Sequence, residues 1–163
     1  MRDLNIRNIA LMALIFSCFM QIGGQLFAIS VLVGTLTEAP PRSFAILEGE
    51  YAYDSSGFWS TVPPITALLY VVALITNWRT QRRMLILVSL ALFICSGLIA
   101  GLVIEPEFAS MVATGYSDTV DPELQSRAAR WYQFDWAAWG IIVLAGMALL
   151  LSLARPGLPK KSP

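Results

Sequence analysis

The stretch WSTVPPITALLYVVALITNW, from Trp59 to Trp78, decides the fold of this chain. Its interior is apolar, and its two tryptophans are 19 residues apart, which corresponds to about 28 Å of α-helix. That length matches the hydrocarbon thickness of a bilayer, and tryptophan prefers the two interfaces beside it. Pro63 and Pro64 enter the helix in its first turn, where a missing backbone N–H costs little. The stretch therefore predicts a transmembrane helix with a rigid start near Trp59.

Three further apolar runs of similar length accompany this helix. With 163 residues, 56% hydrophobic and 13% charged, the chain is too apolar for a soluble domain of its size. The first run exceeds the roughly 7 to 15 residues of a signal-peptide core, so it predicts a retained helix. Four spans are predicted, at about residues 7–35, 59–78, 84–104 and 135–154, with outer loops at 36–58 and 105–134. The predicted fold is an all-α membrane protein, one domain over residues 1–163. It is an antiparallel bundle of four transmembrane helices with short helices in two ordered outer loops.

Charged residues divide unevenly between the two ends of the predicted bundle. Eight of the eleven basic residues fall at the termini or between the second and third spans: Arg2, Arg7, Arg79, Arg82, Arg83, Arg155, Lys160 and Lys161. By the positive-inside rule, both termini and this turn are cytoplasmic. Ten of the eleven acidic residues fall on the other side or at its edge, where their potential favours cations. The prediction is a multi-pass protein of the bacterial inner membrane, with both outer loops on the periplasmic side.

The composition also excludes or disfavours several kinds of chemistry. The chain has no histidine, which removes the usual general base and most metal and haem sites, so neither a metal nor a cofactor is predicted. Its net charge is zero and it has no nucleic-acid-binding motif, so no nucleic-acid partner is expected. Cys18 and Cys95 form no CxxC pair and are expected to be buried packing residues. Because no span carries a charge at its centre, an ion pump or proton relay is disfavoured.

Polar and small residues indicate which faces of the spans point into the bundle. Gln21 and Gln25 are four apart on one face of the first span, and an amide in hydrocarbon must find a partner. One interpretation is hydrogen bonding between helices, with Tyr70, Thr66 and Ser96 as the candidate partners. The other is that these amides form the floor of an outward-opening cavity that binds a small ligand. Helix contact faces are predicted at Gly97 and Gly101 in the third span and at Ala145 and Gly146 in the fourth.

The first predicted outer loop concentrates polar and aromatic residues. Its sequence EGEYAYDSSGFW, residues 48–59, follows Pro40 and Pro41, which break the first helix. Residues 43–54 are expected to form a short helix at the membrane interface. The loop is expected to be either a lid over a ligand or a plug over the bundle.

The second predicted outer loop leads into the fourth span through a helix. Asp121 and Pro122 can start this helix, which can run unbroken into the span. Arg127 and Arg130 are three apart, on nearly one face of it. Two interpretations are open: salt bridges between the two loops, or a pocket in which these charges meet a ligand. The carboxylates expected to pair with the arginines are Glu48, Glu50 and Asp54, and the residues expected to wall the pocket are Tyr51, Tyr53 and Trp131.

Four segments follow one another in a recognisable order. ILEGEYAYDSSGFWSTVPPIT leads into the second span, NWRTQRR follows it, IEPEF ends the third span and RAARWYQFDWAAW precedes the last. This order resembles the anthrone oxygenase-like family of small four-helix integral membrane proteins. Fungal relatives in that family are implicated in oxidising anthrones to anthraquinones with molecular oxygen and no evident metal or flavin. The resemblance covers most of the chain.

For this chain, the resemblance implies a cofactor-free oxygenase that binds an aromatic substrate and stabilises its anion. Arg127 and Arg130 would hold the developing oxyanion, and a carboxylate would act as general base. The candidate bases are Glu48, Glu50 and Asp54; Trp59, Trp131 and Tyr51 would stack on the rings, and Gln21, Gln25 and Tyr53 are further ligand-binding candidates. The alternative is a non-catalytic accessory subunit of a larger membrane complex. The expected partners are the lipid bilayer, a small lipophilic or aromatic ligand and, in the alternative, partner membrane subunits.

Overall fold

The structure is a computed structural model that describes residues 5–156, and within them each regular element is a helix. Four helical runs are long and apolar enough to cross a membrane: Ile6–Glu38, Ser56–Asn77, Arg83–Val112 and Pro122–Ala154. They are termed spans one to four. The predicted all-α fold with four candidate transmembrane helices is confirmed.

One end of the bundle, termed the inner end, holds the start of span one, the turn between spans two and three and the end of span four. Arg82 joins them, because its guanidinium donates to Asn8 Oδ1 at 2.7 Å and to the Arg155 carbonyl oxygen at 3.0 Å. Asn77 Nδ2 also donates to the Arg7 carbonyl oxygen at 3.4 Å. These contacts fix the antiparallel order of the spans. Arg2, Lys160 and Lys161, on which the sidedness prediction also depends, lie outside the described residues.

Spans one and three change helical type toward the opposite, outer end. Span one consists of α1 (Ile6–Phe27), a π-helical segment (Ala28–Val33) and α2 (Gly34–Glu38). Spans two and three consist of α3 (Ser56–Trp59), α4 (Val62–Asn77), α5 (Arg83–Ile99), a π-helical segment (Ala100–Ile104) and α6 (Glu105–Val112). Pro63 lies in the first turn of α4, as predicted. Span three therefore continues past its predicted end at residue 104.

Span four is one helix, α7 (Pro122–Ala154). The Asp121 carboxylate caps it by accepting from the backbone N–H groups of Glu123 at 2.8 Å and Leu124 at 3.3 Å. The prediction that this helix runs unbroken into the last span is confirmed. The helix begins at Pro122, 13 residues before the predicted start of the span at about residue 135.

The first outer loop is less helical than predicted. Of residues 43–54, only those within the 3₁₀ helix Arg42–Leu47 are helical. Gly49 follows with a φ of +86°, a conformation that glycine adopts without steric cost and that ends the helical path. The backbone N–H of Asp121 donates to the Pro40 carbonyl oxygen at 3.0 Å, which ties the two outer loops together. The loops thus form one cap over the outer end.

Small residues form some of the predicted helix contacts but not others. Ala145 is fully buried, and a Cβ on Gly146 would come within 2.8 Å of Ile22 Cδ1, so these two positions are contact points as predicted. The prediction for Gly97 and Gly101 is wrong, because a Cβ at either would meet nothing within 4 Å. The two cysteines also divide. Buried packing is confirmed for Cys18, whereas Cys95 is exposed on the surface of span three.

Candidate functional site

A cavity of ≈ 670 Å³ occupies the outer half of the bundle. α1 packs against α4 and α7, whereas α5 packs chiefly against α7, so α1 and α5 face each other across this space. Both π-helical segments contribute lining residues, among them Val33 and Ile104. π-helical turns occur frequently at functional sites, and a volume of roughly 300–1,000 Å³ is usual for a small-molecule site. The cavity is therefore the candidate functional site.

The cavity extends from the outer cap to about the middle of the bundle. At about 1.5 Å per helical residue, Phe93, Gln21 and Asp135 lie about 15, 22 and 28 Å from the inner ends of their spans. All three line the cavity. In a hydrocarbon core of about 30 Å, the floor lies near mid-depth and Asp135 near the outer boundary. Tyr53 and Asp54, which are exposed, form part of the mouth.

Below the floor, hydroxyl groups bond the spans to one another. Ser17 and Thr66 share a hydrogen bond of 2.8 Å between α1 and α4. Tyr70 and Ser89 share one of 2.6 Å between α4 and α5, and Ser89 donates to the Ala145 carbonyl oxygen of α7 at 2.8 Å. All five residues are buried. This layer closes the inner half of the bundle beneath the cavity.

The two glutamines predicted on one face of the first span both line the cavity. Gln25 Nε2 donates to Asp135 Oδ1 at 3.2 Å, and both residues are buried. Gln21 Oε1 is buried and has no hydrogen-bond partner among the described residues. The expected amide bonds to Tyr70, Thr66 and Ser96 are wrong, because these hydroxyls bond Ser89, Ser17 and the Ala138 carbonyl oxygen.

Asp135 is the central residue that the sequence prediction did not single out. At the expected start of the fourth span it reads as one more interfacial carboxylate. The outward extension of α7 instead places it within the bundle, where only 9% of its surface is exposed. Its position on the helix could have predicted its burial, because Trp131, Asp135, Ala138 and Ile142 follow the three-and-four spacing of a buried helix face. All four residues are buried.

The charged residues of the cavity are all acidic. Glu105, at the start of α6, joins Asp54 and Asp135 in the lining, and the described lining residues include neither Lys nor Arg. At the mouth, the Ser56 backbone N–H donates to Asp54 Oδ1 at 2.8 Å, and this bond lowers the pKa of the Asp54 carboxyl. The cavity therefore carries a negative potential.

One aromatic wall of the cavity is built around Trp131. Its indole N–H donates to the carbonyl oxygen of Ile104 at 3.1 Å, and Ile104 ends the π-helical segment of span three. The Trp131 ring stacks on Phe108, with centroids 5.1 Å apart. These two contacts lock α7 to span three above Asp135.

Another wall is formed by α3, at the start of span two. The ring of Phe58 lies against Gly24 of α1, where an added Cβ would come within 2.5 Å of the ring. Phe58 also packs edge-on against Trp59, with centroids 4.9 Å apart. Gly24 therefore provides the notch that docks α3 on span one, and this docking holds Trp59 at the cavity.

Arg127 and Arg130 lie in a different place. They line a separate groove of ≈ 470 Å³ between spans three and four. Arg127 Nε pairs with Glu107 Oε1 at 2.9 Å and its Nη2 donates to Ser110 Oγ at 2.6 Å, while Arg130 donates to Ser126 Oγ at 3.0 Å. The expected ion pairs with Glu48, Glu50 and Asp54 are wrong. The sequence predicts residues 105–112 as part of a loop, whereas they form α6, which brings Glu107 to α7.

Part of the predicted site thus lies in the cavity lining. Its lining contains Gln21, Gln25, Tyr53, Asp54, Trp59 and Trp131. It does not contain Glu48, Glu50 and Tyr51, which lie exposed in the turn after the 3₁₀ helix, Tyr51 with 91% of its surface accessible. That turn is closed by the Ala52 N–H donating to the Gly49 carbonyl oxygen at 3.3 Å, which directs these side chains away from the bundle. Phe93, Glu105 and Asp135 are among the lining residues that the prediction missed.

The chain matches none of the family models, curated proteins or solved structures with which it was compared. Its resemblance to the anthrone oxygenase-like family stays a prediction from the four segments that carry it. The geometry of the cavity is therefore what indicates a function.

Proposed function

We propose that this protein binds a small lipophilic molecule with an aromatic or aliphatic body in the outer cavity. The observation that carries the proposal is one space of ≈ 670 Å³ that combines a mainly apolar wall with three convergent polar residues, Gln21, Gln25 and Asp135. Packing alone leaves few voids larger than a water molecule in a protein interior. In ligand sites of this kind, apolar walls contribute affinity and a few polar groups fix orientation.

We further propose that the protein lies in a bacterial inner membrane, with the cavity mouth on the periplasmic side. The support is the distribution of the described basic residues, because the inner end holds Arg7, Arg79, Arg82, Arg83 and Arg155. A ligand would then enter from the periplasm or from the outer leaflet. Labelling by a membrane-impermeant maleimide in spheroplasts tests this placement. Ser117→Cys should react and Gln81→Cys should not, both in a background with Cys18 and Cys95 replaced by Ala.

Ligand binding is tested with a fluorescent lipophilic probe, N-phenyl-1-naphthylamine, and the purified full-length protein in nanodiscs. Gly97 lines the cavity and an added side chain there meets open space. Gly97→Leu should fill part of the cavity and weaken probe binding about tenfold, or about 1.4 kcal/mol.

The control adds the same side chain outside the cavity. Gly101 is equally open and lies four residues further along the same span, but it is not part of the lining. Gly101→Leu should leave binding unchanged. Equal affinity of the two variants, or no binding by the wild type above that of empty nanodiscs, would contradict the proposal.

If the bound molecule were an anthrone, the protein could also catalyse its oxidation. A base would remove a C10 proton, the anion would add O₂, the resulting peroxide anion would take the proton back from the base, and the hydroperoxide would lose water to give the anthraquinone. The base would have to be a cavity carboxylate. Arg127 and Arg130 lie in the other groove, so the anion would meet acidic groups, with no Lys or Arg among the described lining residues to stabilise it. The arrangement favours binding over this catalysis. Anthraquinone formation by the purified protein that is lost on replacing both arginines with Gln would reverse that preference.

The accessory-subunit alternative stays a prediction, and the same preparation tests it. A monodisperse protein that binds the probe by itself supports the ligand-binding function. Stoichiometric co-purification of a partner subunit, together with no probe binding by the isolated chain, supports the accessory role.

A further inference from the structure

Buried polar groups of the cavity leave hydrogen-bond acceptors available to a ligand. The Asp135 carboxyl accepts one bond, from Gln25 Nε2 at 3.2 Å. The buried Gln21 Oε1 has no partner within residues 5–156. Ser96 lines the cavity, but its hydroxyl donates to the Ala138 carbonyl oxygen at 3.1 Å. A buried acceptor left unpaired is costly, so a ligand that fits this site has to bring donors.

The charges of the cavity lead to the same requirement. Asp54, Glu105 and Asp135 line it, and the part of the lining that the structure describes contains no basic side chain. The nearby Arg127 is paired with Glu107 at 2.9 Å in the separate groove. Holding a buried carboxylate without a counter-charge is expensive, and a positively charged ligand would offset that cost.

The space and its walls indicate an organic cation and not a metal ion. In residues 5–156, no three His, Cys, Asp or Glu side chains are grouped closely enough to hold a metal. The cavity has room for a molecule of many atoms, and it presents the aromatic side chains of Tyr53, Trp59 and Trp131. Aromatic faces attract organic cations, most strongly where water is excluded.

We infer that the ligand is an amphipathic organic amine, with its protonated nitrogen at Asp135 and its apolar body between spans one and three. A second N–H or O–H of the ligand donates to Gln21 Oε1, one helical turn deeper than Gln25. This inference rests on the proposed ligand-binding function and names the class of ligand, and it can fail while that function stands.

The test uses three fluorescent probes that share one dansyl group and differ in the charge of a five-carbon tail. They are dansylcadaverine, which is cationic, the neutral N-pentyl dansylamide, and the anionic N-dansyl-6-aminohexanoate. Each is titrated into the full-length protein in nanodiscs of neutral lipid, with empty nanodiscs subtracted. The cationic probe is expected to bind about tenfold or more tightly than the neutral one, and the anionic probe most weakly.

The variant Asp135→Asn removes the charge and keeps the size and an acceptor for Gln25. It should bring the cationic and neutral probes to within about twofold of each other. Glu50→Gln removes the same charge from the exposed turn outside the cavity, and it should keep the full preference for the cation. If Asp135→Asn is not monodisperse, Glu105→Gln serves as the test in its place. It should reduce the preference for the cationic over the neutral probe about threefold.

The outcomes separate the inference from the function on which it rests. Equal wild-type affinity for the cationic and neutral probes, or tighter binding of the anion, overturns the amine inference while ligand binding stands. Loss of preference in Glu50→Gln to the same extent as in Asp135→Asn also overturns it, because a general surface potential would then explain the effect. Binding of none of the three probes contradicts the proposed function itself.

Discussion

The inner and outer halves of this bundle use the same four spans in opposite ways. In the inner half, buried hydroxyl pairs such as Tyr70 with Ser89, and the Arg82 contacts at the inner end, join the spans into a closed core. In the outer half, spans one and three separate around a cavity of ≈ 670 Å³, and the wall is held by single docked aromatic rings such as Phe58 and Trp131. The closed core that stabilises the bundle and the cavity proposed to bind a ligand thus lie at different depths of the same bundle.

The two π-helical segments lie on the outer side of that boundary. Ala28–Val33 follows Gln25 in span one, and Ala100–Ile104 precedes Glu105 in span three. A π-helical turn widens the helix and loosens its hydrogen-bond ladder, which costs free energy in a membrane unless other groups satisfy the backbone. The Trp131 indole does so for Ile104 at 3.1 Å. In span three, an aromatic side chain of α7 therefore supports the irregular backbone.

The largest expected effect comes from breaking the inner half. Tyr70 is fully buried between the spans, so Tyr70→Ala should lower the free energy of unfolding by about 3–5 kcal/mol through the lost packing and the lost hydrogen bond to Ser89. Unfolding is measured by SDS titration in mixed micelles. Tyr51→Ala is the matched control, and it should change stability by less than about 0.5 kcal/mol because the side chain is 91% exposed. A similar loss in both variants would mean that the inner core is not the stabilising half.

An intermediate effect is expected from breaking the outer wall at Gly24. Gly24→Ala places a Cβ within 2.5 Å of the Phe58 ring, so the ring must move and α3 loosens. We expect stability to fall by about 1 kcal/mol. Affinity for N-phenyl-1-naphthylamine should fall about fivefold, since Trp59 moves with α3.

The neighbouring glycine supplies the control for that wall. A Cβ on Gly23 meets nothing within 4 Å, so Gly23→Ala should leave binding unchanged and raise stability by up to about 1 kcal/mol through helix propensity. Wild-type probe affinity in Gly24→Ala would show that docking of Phe58 does not shape the cavity.

The inner half was the part that the sequence could predict. Apolar runs between Trp59 and Trp78, and in the other spans, define where helices cross a membrane, because hydrophobic length and interfacial tryptophan are local properties. The start of α7 at Asp121 and Pro122 could also be predicted, since an N-cap is a local signal. Local patterns thus gave the bundle and the inner end.

The outer half depended on contacts between residues far apart in sequence. The sequence predicts the wrong partner for Arg127, because it predicts a loop at residues 105–112, whereas they continue span three as α6 and carry Glu107 to α7. The sequence does not indicate the role of Asp135, because that role depends on a hydrogen bond from Gln25, which is 110 residues away. The fold of the first loop was overestimated because Gly49 ends the 3₁₀ helix. Pairings of this kind are set by helix register and not by composition.

The smallest expected effect concerns the mouth of the cavity, where the outer half meets water. The Ser56 backbone N–H bonds the Asp54 carboxylate at 2.8 Å and lowers the pKa of Asp54 in the folded protein. The stabilisation is therefore present above the ordinary aspartate pKa of about 3.9, and it is lost as the pH falls through the lowered folded value. Protection of the Ser56 amide from hydrogen exchange, corrected for the intrinsic rate, should decrease modestly over that acidic range. Asp54→Asn should show no such pH dependence. An equal decrease of Ser56 protection in Asp54→Asn would mean that the whole cap, and not the Asp54 bond, responds to pH. The contrast between a rigid inner half and a locally adjustable mouth would then lose its support.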